Sequence, residues 1–246
     1  MIKSDAPAIK AAGLGRRFGR YWALAHVDLE LPAGRSLLLA GANGSGKTTF
    51  LRIVAGLHRP TRGTLQIFGR DAREEREACR QQLTLVSHSA YLYARLTALE
   101  SLRTWARLLG QPSRDADLMP LLEEVGLGNH HDQAVGGFSA GMRKRLTLLR
   151  ARLEEPRMVL LDEPFAALDV PGQKLVKDWV QRFRDDGISV VLASHQLQQA
   201  AELCDDAVVL HKGQIAWRGG AEKVVGAFEA VTTDLGGTDL GGEEVA

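Results

Sequence analysis

The chain has 246 residues, 45% of them apolar and 25% charged, and 31 Lys and Arg against 30 Asp and Glu leave a net charge of +1. Such a balance excludes a nucleic acid or an acidic bilayer recruited by bulk charge. The length suits one sizeable α/β domain, or a core domain with a smaller lobe.

Two cysteines, Cys79 and Cys204, stand far apart with no C-x-x-C or Cys/His spacing. They argue against a zinc site or a disulfide framework and suit a reducing compartment. The opening MIKSDAPAIK has no apolar h-region, so it does not read as a signal peptide. No run approaches the roughly 20 apolar residues that cross a bilayer, and a membrane link is expected only through a partner. The basic runs GRRFGR at 15–20 and MRKR at 142–145 read as solvated faces.

In chain order, alternation at 24–31 and 63–68 predicts antiparallel strands at one side. Continuous Val, Leu and Ile runs at 36–40, 83–87, 157–161, 189–193 and 207–210 predict a mostly parallel sheet buried on both faces. Between about 89 and 155 the strands stop. TALESLRTWARLLG, DADLMPLLEEVGL and SAGMRKRLTLLRARLEE read as helices separated by Gly, Pro and Asn. The domain at 1–231 is thus expected to hold an α/β core at about 1–88 and 156–231, with a helical subdomain at about 89–155 inserted into it. From about 232 to 246 the Gly-rich, acidic DLGGTDLGGEEVA predicts a flexible tail.

GANGSGKTT at 41–49 fits G-x-x-x-x-G-K-[ST], with the apolar SLLLA before it and the helical KTTFLRIVAGL after it. Gly41, Gly44 and Gly46 let the backbone curl so that the N–H groups of Ala42, Asn43, Ser45 and their neighbours point inward at phosphate oxygens. The helix that follows adds the positive end of its dipole. Lys47 is expected to reach the β- and γ-phosphates, Thr48 to ligate Mg²⁺, and Thr49 to complete the loop. RMVLLDEP at 157–164 puts Asp162 at the carboxyl end of a buried strand, where open α/β sheets bind ligands. Asp162 is expected to hold Mg²⁺ through a water, and Glu163 to orient and deprotonate the attacking water. These residues predict a P-loop nucleoside triphosphatase. They leave ATP and GTP open, although no [NT]-K-x-D guanine-reading motif follows residue 49.

FSAGMRKR at 138–145 resembles the signature motif of ATP-binding cassette ATPases, usually L-S-G-G-Q. AALD at 166–169 resembles the family's D-loop, and LASHQ at 192–196 its switch histidine. The resemblance runs from about residue 8 to 225. It implies a RecA-like core sheet with an antiparallel β side layer and an inserted helical subdomain. It also implies a head-to-tail dimer that sandwiches ATP and Mg²⁺. Ser139 and the Gly141 N–H would then meet the γ-phosphate held by a second ATPase subunit. His195 would contact the γ-phosphate of its own site, and Phe18 in RRFG would stack on adenine.

Three departures mark the chain within that family. Ala140 stands for a signature Gly, Met142 for the usual Gln, and His88 for the Q-loop Gln that senses Mg²⁺ and the γ-phosphate. Imidazole nitrogen matches Mg²⁺ poorly, so His88 is expected to act through water or a phosphate hydrogen bond. His88 with Ser87 before it, SAYLYARLTALESL, FSAGMRKRL and LDEPFAALD resemble the ATPase subunit of the haem exporter in cytochrome c maturation. That implies integral membrane permease subunits as partners, at the cytoplasmic face of a bacterial inner membrane. Tyr91, Leu92, Tyr93 and Trp105 are then candidates for the permease groove beside the Q-loop, with internal packing the equal alternative for Leu92 and Trp105. The rival readings are an exporter ATPase for another cargo, and a soluble cassette working on ribosomes or DNA.

Overall fold

The computed structural model describes residues 6–87 and 92–236. In chain order the first half holds β1 (Ile9–Phe18), β2 (Tyr21–Leu31), β3 (Ser36–Ala40), α1 (Lys47–Val54), β4 (Arg62–Ile67), β5 (Arg70–Asp71), α2 (Arg76–Arg80) and β6 (Leu83–Val86). Three helices follow, α3 (Ala98–Leu108), α4 (Asp115–Glu124) and α5 (Ala140–Leu153). The chain then returns to the sheet with β7 (Met158–Asp162), α6 (Val170–Asp185), β8 (Ser189–Ala193), α7 (Leu197–Ala201), β9 (Asp206–His211), β10 (Gln214–Gly220) and α8 (Val224–Gly236).

The strands lie in the order β5-β4-β1-β2-β10-β9-β3-β8-β7-β6. From β9 to β6 neighbours pair in parallel, while β1, β2, β4 and β5 form an antiparallel meander. The unbroken apolar runs follow from burial on both faces. In β3, Leu37 and Leu39 enter the core shared with α1 and the meander, whereas Leu38 and Ala40 enter the core shared with α3 to α6. In β7, Met158 and Leu160 divide from Val159 and Leu161 in the same way. The two-residue period of a strand does this sorting.

Sequence patterning did not find β1, β5 and β10. The register of β1 against β2 shifts between Ala11 and Leu14 and again before Arg16, which breaks the alternation. Gly13 is at φ 57°, and a Cβ on Gly63 would lie 2.4 Å from its carbonyl oxygen, so the bulge needs glycine on both strands. The last helix also runs on to Gly236, beyond the residue 232 at which a flexible tail was expected, because VVGAFEAV carries enough apolar mass to pack on β9 and β10. Among the described residues no helix is long and apolar enough to cross a membrane.

The first inserted helix starts on a reciprocal cap. The Glu100 N–H donates to Thr97 Oγ1 at 3.1 Å, and the Thr97 N–H donates to a Glu100 carboxylate oxygen at 2.8 Å. Loss of that cap costs a helix about 1 kcal/mol. Thr97→Ala is therefore expected to lower the chemical-denaturation midpoint by the equivalent of about 1 kcal/mol with an unchanged slope.

Candidate active site

Sheet order builds the site. β3, β8 and β7 are adjacent and parallel, so the loops after their carboxyl ends open on the same edge of the sheet. The loop after β3 carries Gly41 to Gly46, that after β7 carries Glu163, and that after β8 carries Ser194 and His195.

The loop after β3 curls because its glycines take left-handed backbone angles: φ is 153° at Gly41, 81° at Gly44 and 112° at Gly46. A Cβ on Gly46 would lie 2.6 Å from the Ala23 carbonyl oxygen, and one on Gly41 would lie 2.5 Å from that of Leu210. Lys47 opens α1 and is buried; its ammonium donates to the Gly41 and Ala42 carbonyls at 2.7 and 3.2 Å. Burial lowers its pKa against the opposing pull of Glu163 and Asp162. Ser45 Oγ is buried without a hydrogen-bond partner, a polar atom left for a ligand inside the curl.

Asp162 ends β7 and is 8% exposed. Its Oδ1 accepts a hydrogen bond from Thr48 Oγ1 at 3.0 Å. Burial raises its pKa, with the Thr48 bond working the other way. A hydroxyl and a buried carboxylate brought together offer the hard oxygen ligands that Mg²⁺ takes, and the cation would relieve the desolvated charge. The residues present therefore fit the metal.

Glu163 follows in a left-handed conformation, φ 49°, which turns its carboxylate back across the strand ends. One oxygen accepts from His195 Nδ1 at 2.9 Å and from Ser194 Oγ at 3.3 Å; the other lies 4.0 Å from the Lys47 ammonium. The imidazole is half exposed and the carboxylate much less so. Two groups at one carboxylate, one of them open to solvent, suit a base that holds and passes on a proton.

A cavity of about 340 Å³ joins Phe18, Tyr21, Asn43, Lys47, Thr48 and Glu163. Phe18 is 42% exposed, with the Arg16 guanidinium 4.6 Å from its ring centre and the His58 ring against its edge. The Tyr21 hydroxyl donates to the Gly44 carbonyl at 3.3 Å. Thr49, in the first turn of α1, lines the same cavity.

Ser139 and Gly141 do not line that cavity. Ser139 caps α5, its Oγ accepting from the Met142 N–H at 3.2 Å, which leaves the hydroxyl proton to donate elsewhere. A Cβ on Gly141 would touch Leu168 at 3.4 Å, so the signature helix packs on the loop before α6. His88 and Tyr91 lie outside the described residues.

One sequence expectation needs correction. The MRKR run is not a solvated face: Lys144 is 8% exposed and donates to the Glu163 and Ala166 carbonyls, and Arg145 pairs with Asp169 at 3.1 Å. Of the two roles open to Trp105, the structure shows the packing one: it is a core residue of the helical insertion, 7% exposed. Leu92, with Leu57, Leu85 and Leu109, does line a second cavity of about 500 Å³ between α1 and α5, and Tyr93 is exposed. Sequence reading missed Ser194 and Tyr21. The signal for Ser194 was its place directly before His195; Tyr21 stands three residues after Phe18 and carried no motif.

A glycine-curled loop opening a helix, with Thr48 and Asp162 meeting beside it, defines a P-loop nucleoside triphosphatase. The family model of ABC transporters matches residues 24–166, and the chain belongs to that family. It is therefore an ATPase that binds ATP and Mg²⁺. It is 30% identical over 205 residues to the ABC transporter ATP-binding protein NatA of Bacillus subtilis, covering 82% of this chain and 83% of that one. It is 34% identical over 213 residues to the sulfate/thiosulfate import ATP-binding protein CysA of Thermosynechococcus vestitus, covering 84% of this chain but only 62% of the relative. A solved ATP-binding subunit of an ABC transporter superposes with a TM-score of 0.79 at 27% identity, covering 93% of each chain. A dimeric ATP-binding cassette bound to ADP and Pi shares the fold with a TM-score of 0.77 at 22% identity, covering 87% of this chain and 98% of that one.

Because the Gly46 Cβ position is filled by the Ala23 carbonyl, Gly46→Ala is expected to force the phosphate loop off its path. Titration with a fluorescent ATP analogue should show affinity weaker by about tenfold or more; unchanged affinity would contradict the reading of the curl.

Proposed function

We propose that the chain hydrolyses ATP between two cassette subunits and uses the cycle to drive separate permease subunits in a membrane. The observation that carries this is the convergence of Lys47, Thr48, Asp162 and a Glu163 held by His195 and Ser194 at the ends of three adjacent strands.

The Gly41–Thr49 backbone and Lys47 hold the triphosphate, while Thr48 and Asp162 hold Mg²⁺. The metal neutralises phosphate charge when bound. Glu163 takes the proton of the attacking water, and His195 steadies the carboxylate and the γ-phosphate side. Phe18 supports the base with the ring face turned away from Arg16. The signature residues Ser139 and Gly141 lie outside their own cavity and act on the nucleotide of a second subunit, which makes ATP part of the dimer interface. A dimeric ATP-binding cassette bound to ADP and Pi shares this fold.

The permease is taken to dock on the Leu57–Leu92–Leu109 cavity, which Ser87 also lines. On this reading the chain is a peripheral subunit at the cytoplasmic face of a bacterial inner membrane, with an α/β core at about 1–88 and 156–231 and a helical subdomain at about 89–155. Haem export is the finer cargo reading. It leans on His88 and the surrounding texture, while the relatives named above are NatA and a sulfate/thiosulfate importer.

Glu163→Gln is expected to bind MgATP with near-native affinity and to turn over at least about a hundredfold more slowly; brisk turnover overturns the base assignment. Purified with ATP from its host's membranes, the same variant should bring integral membrane subunits with it, and a Soret band in that complex identifies haem as cargo. Leu92→Asp should lose those subunits while keeping its ATP affinity.

A further inference from the structure

A lysine in a basic tetrapeptide normally lies in solvent, yet Lys144 is buried in the second turn of α5. Its ammonium does not seek a carboxylate. It donates to two main-chain carbonyls on the loop after β7, those of Glu163 and Ala166, the latter at 3.4 Å. A buried ammonium requires such acceptors, since an unpaired one is costly. Even so, burial brings its pKa down to about 8.

The loop it grips holds itself only through long bonds: the Ala166 N–H donates to the Glu163 carbonyl at 3.3 Å, and the Leu168 N–H to that of Phe165 at 3.4 Å. Glu163 and Ala167 are both non-glycine residues in the left-handed region, φ 49° and 60°, within five residues of each other. Such conformations persist only when their surroundings over-determine them. The Glu163 N–H is tied to the sheet through the Ala193 carbonyl at 2.9 Å, and its own carbonyl, besides accepting from Ala166, accepts from Lys144 on α5. One peptide later in α5, Arg145 holds Asp169, whose Oδ1 caps α6 by accepting from the Gly172 N–H at 3.0 Å. One turn earlier, Gly141 packs on Leu168. Residues 141, 144 and 145 therefore clasp the loop from 163 to 169.

We propose that Lys144 is a positioning residue that locks the main chain of Glu163 to the signature helix, so that α5 and the carboxylate of the same chain move together. The inference rests on the reading of Glu163 as the base and of Ser139 and Gly141 as acting on a second subunit's nucleotide. The helix that meets one ATP through its N-terminus then sets, one turn further on, the base that deprotonates the water attacking the other. Engagement of the signature motif thereby reports to the neighbouring hydrolysis site through two hydrogen bonds.

The test uses the full chain and three variants: Lys144→Met, which keeps the stem and removes the donors; Lys144→Gln, which restores a neutral donor; and Glu163→Gln. Lys144→Met is expected to lower kcat by about tenfold to a hundredfold, to leave the KM for MgATP within about twofold, and to lose cooperativity in ATP. Lys144→Gln should recover much of the rate. Added to Glu163→Gln, the Lys144→Met change should cost little more, because the group it positions is already gone. Wild-type kcat in Lys144→Met overturns the proposal, as does a loss no larger than its unfolded fraction by circular dichroism, a loss confined to KM, or an undiminished further loss in the double variant. Brisk turnover in Glu163→Gln alone is a separate result, and it would overturn the base assignment rather than the link to α5.

Discussion

The Thr48 hydroxyl and the Asp162 carboxylate meet at 3.0 Å, and the rest of the site depends on that meeting. Thr48 belongs to the helix that follows β3, and Asp162 ends β7, with β8 between them. The bond forms only if β3, β8 and β7 run parallel, in register, with a curl at the end of β3 tight enough to start α1 over the sheet edge. Glycine supplies the curl, and apolar residues facing two cores supply the register. A pair of oxygen ligands that fits a metal ion is thus assembled by backbone geometry and by burial that has no chemistry of its own.

Charge is handled by the same geometry. Asp162 and Glu163 are flanked by two buried ammoniums, Lys47 on the phosphate side and Lys144 on the signature side, and each lysine spends its close hydrogen bonds on main-chain carbonyls. Lys47 stands 4.0 Å from Glu163, close enough to feel the carboxylate and not close enough to quench it. His195 and Ser194 take one oxygen of Glu163 and leave the other towards the cavity. Fixed donors around an open carboxylate oxygen are the form of preorganisation that favours proton transfer over simple ion pairing.

Much of this was legible in the sequence where function imposes a local pattern. The P-loop, Asp162 and Glu163 were readable because glycines, a lysine and paired acids must occupy fixed offsets from apolar strands. The α/β class was readable because doubly buried strands cannot hide their apolar runs. Bulges hid β1 and β10, whose register shifts interrupt the alternation that marks a strand. Lys144 was hidden by composition, since MRKR looks like a solvated run. The helical phase did carry its signal: positions 144, 147, 148 and 151 share one face, and all four are buried. Trp105 left both roles open, because an aromatic beside a loop is as often a core residue as a docking one.

The proposed function turns on a site shared between two subunits, because Ser139 and Gly141 do not line the cavity of Lys47, Thr48 and Glu163. The most direct test mixes two variants, Lys47→Ala, which disables the phosphate loop, and Ser139→Arg, which blocks the signature. Each should be inactive alone. If the signature acts in trans between copies of this chain, mixed dimers contain one intact composite site, and the mixture should regain a clear fraction of wild-type ATP turnover. A mixture as inactive as its components would contradict a site shared between two copies.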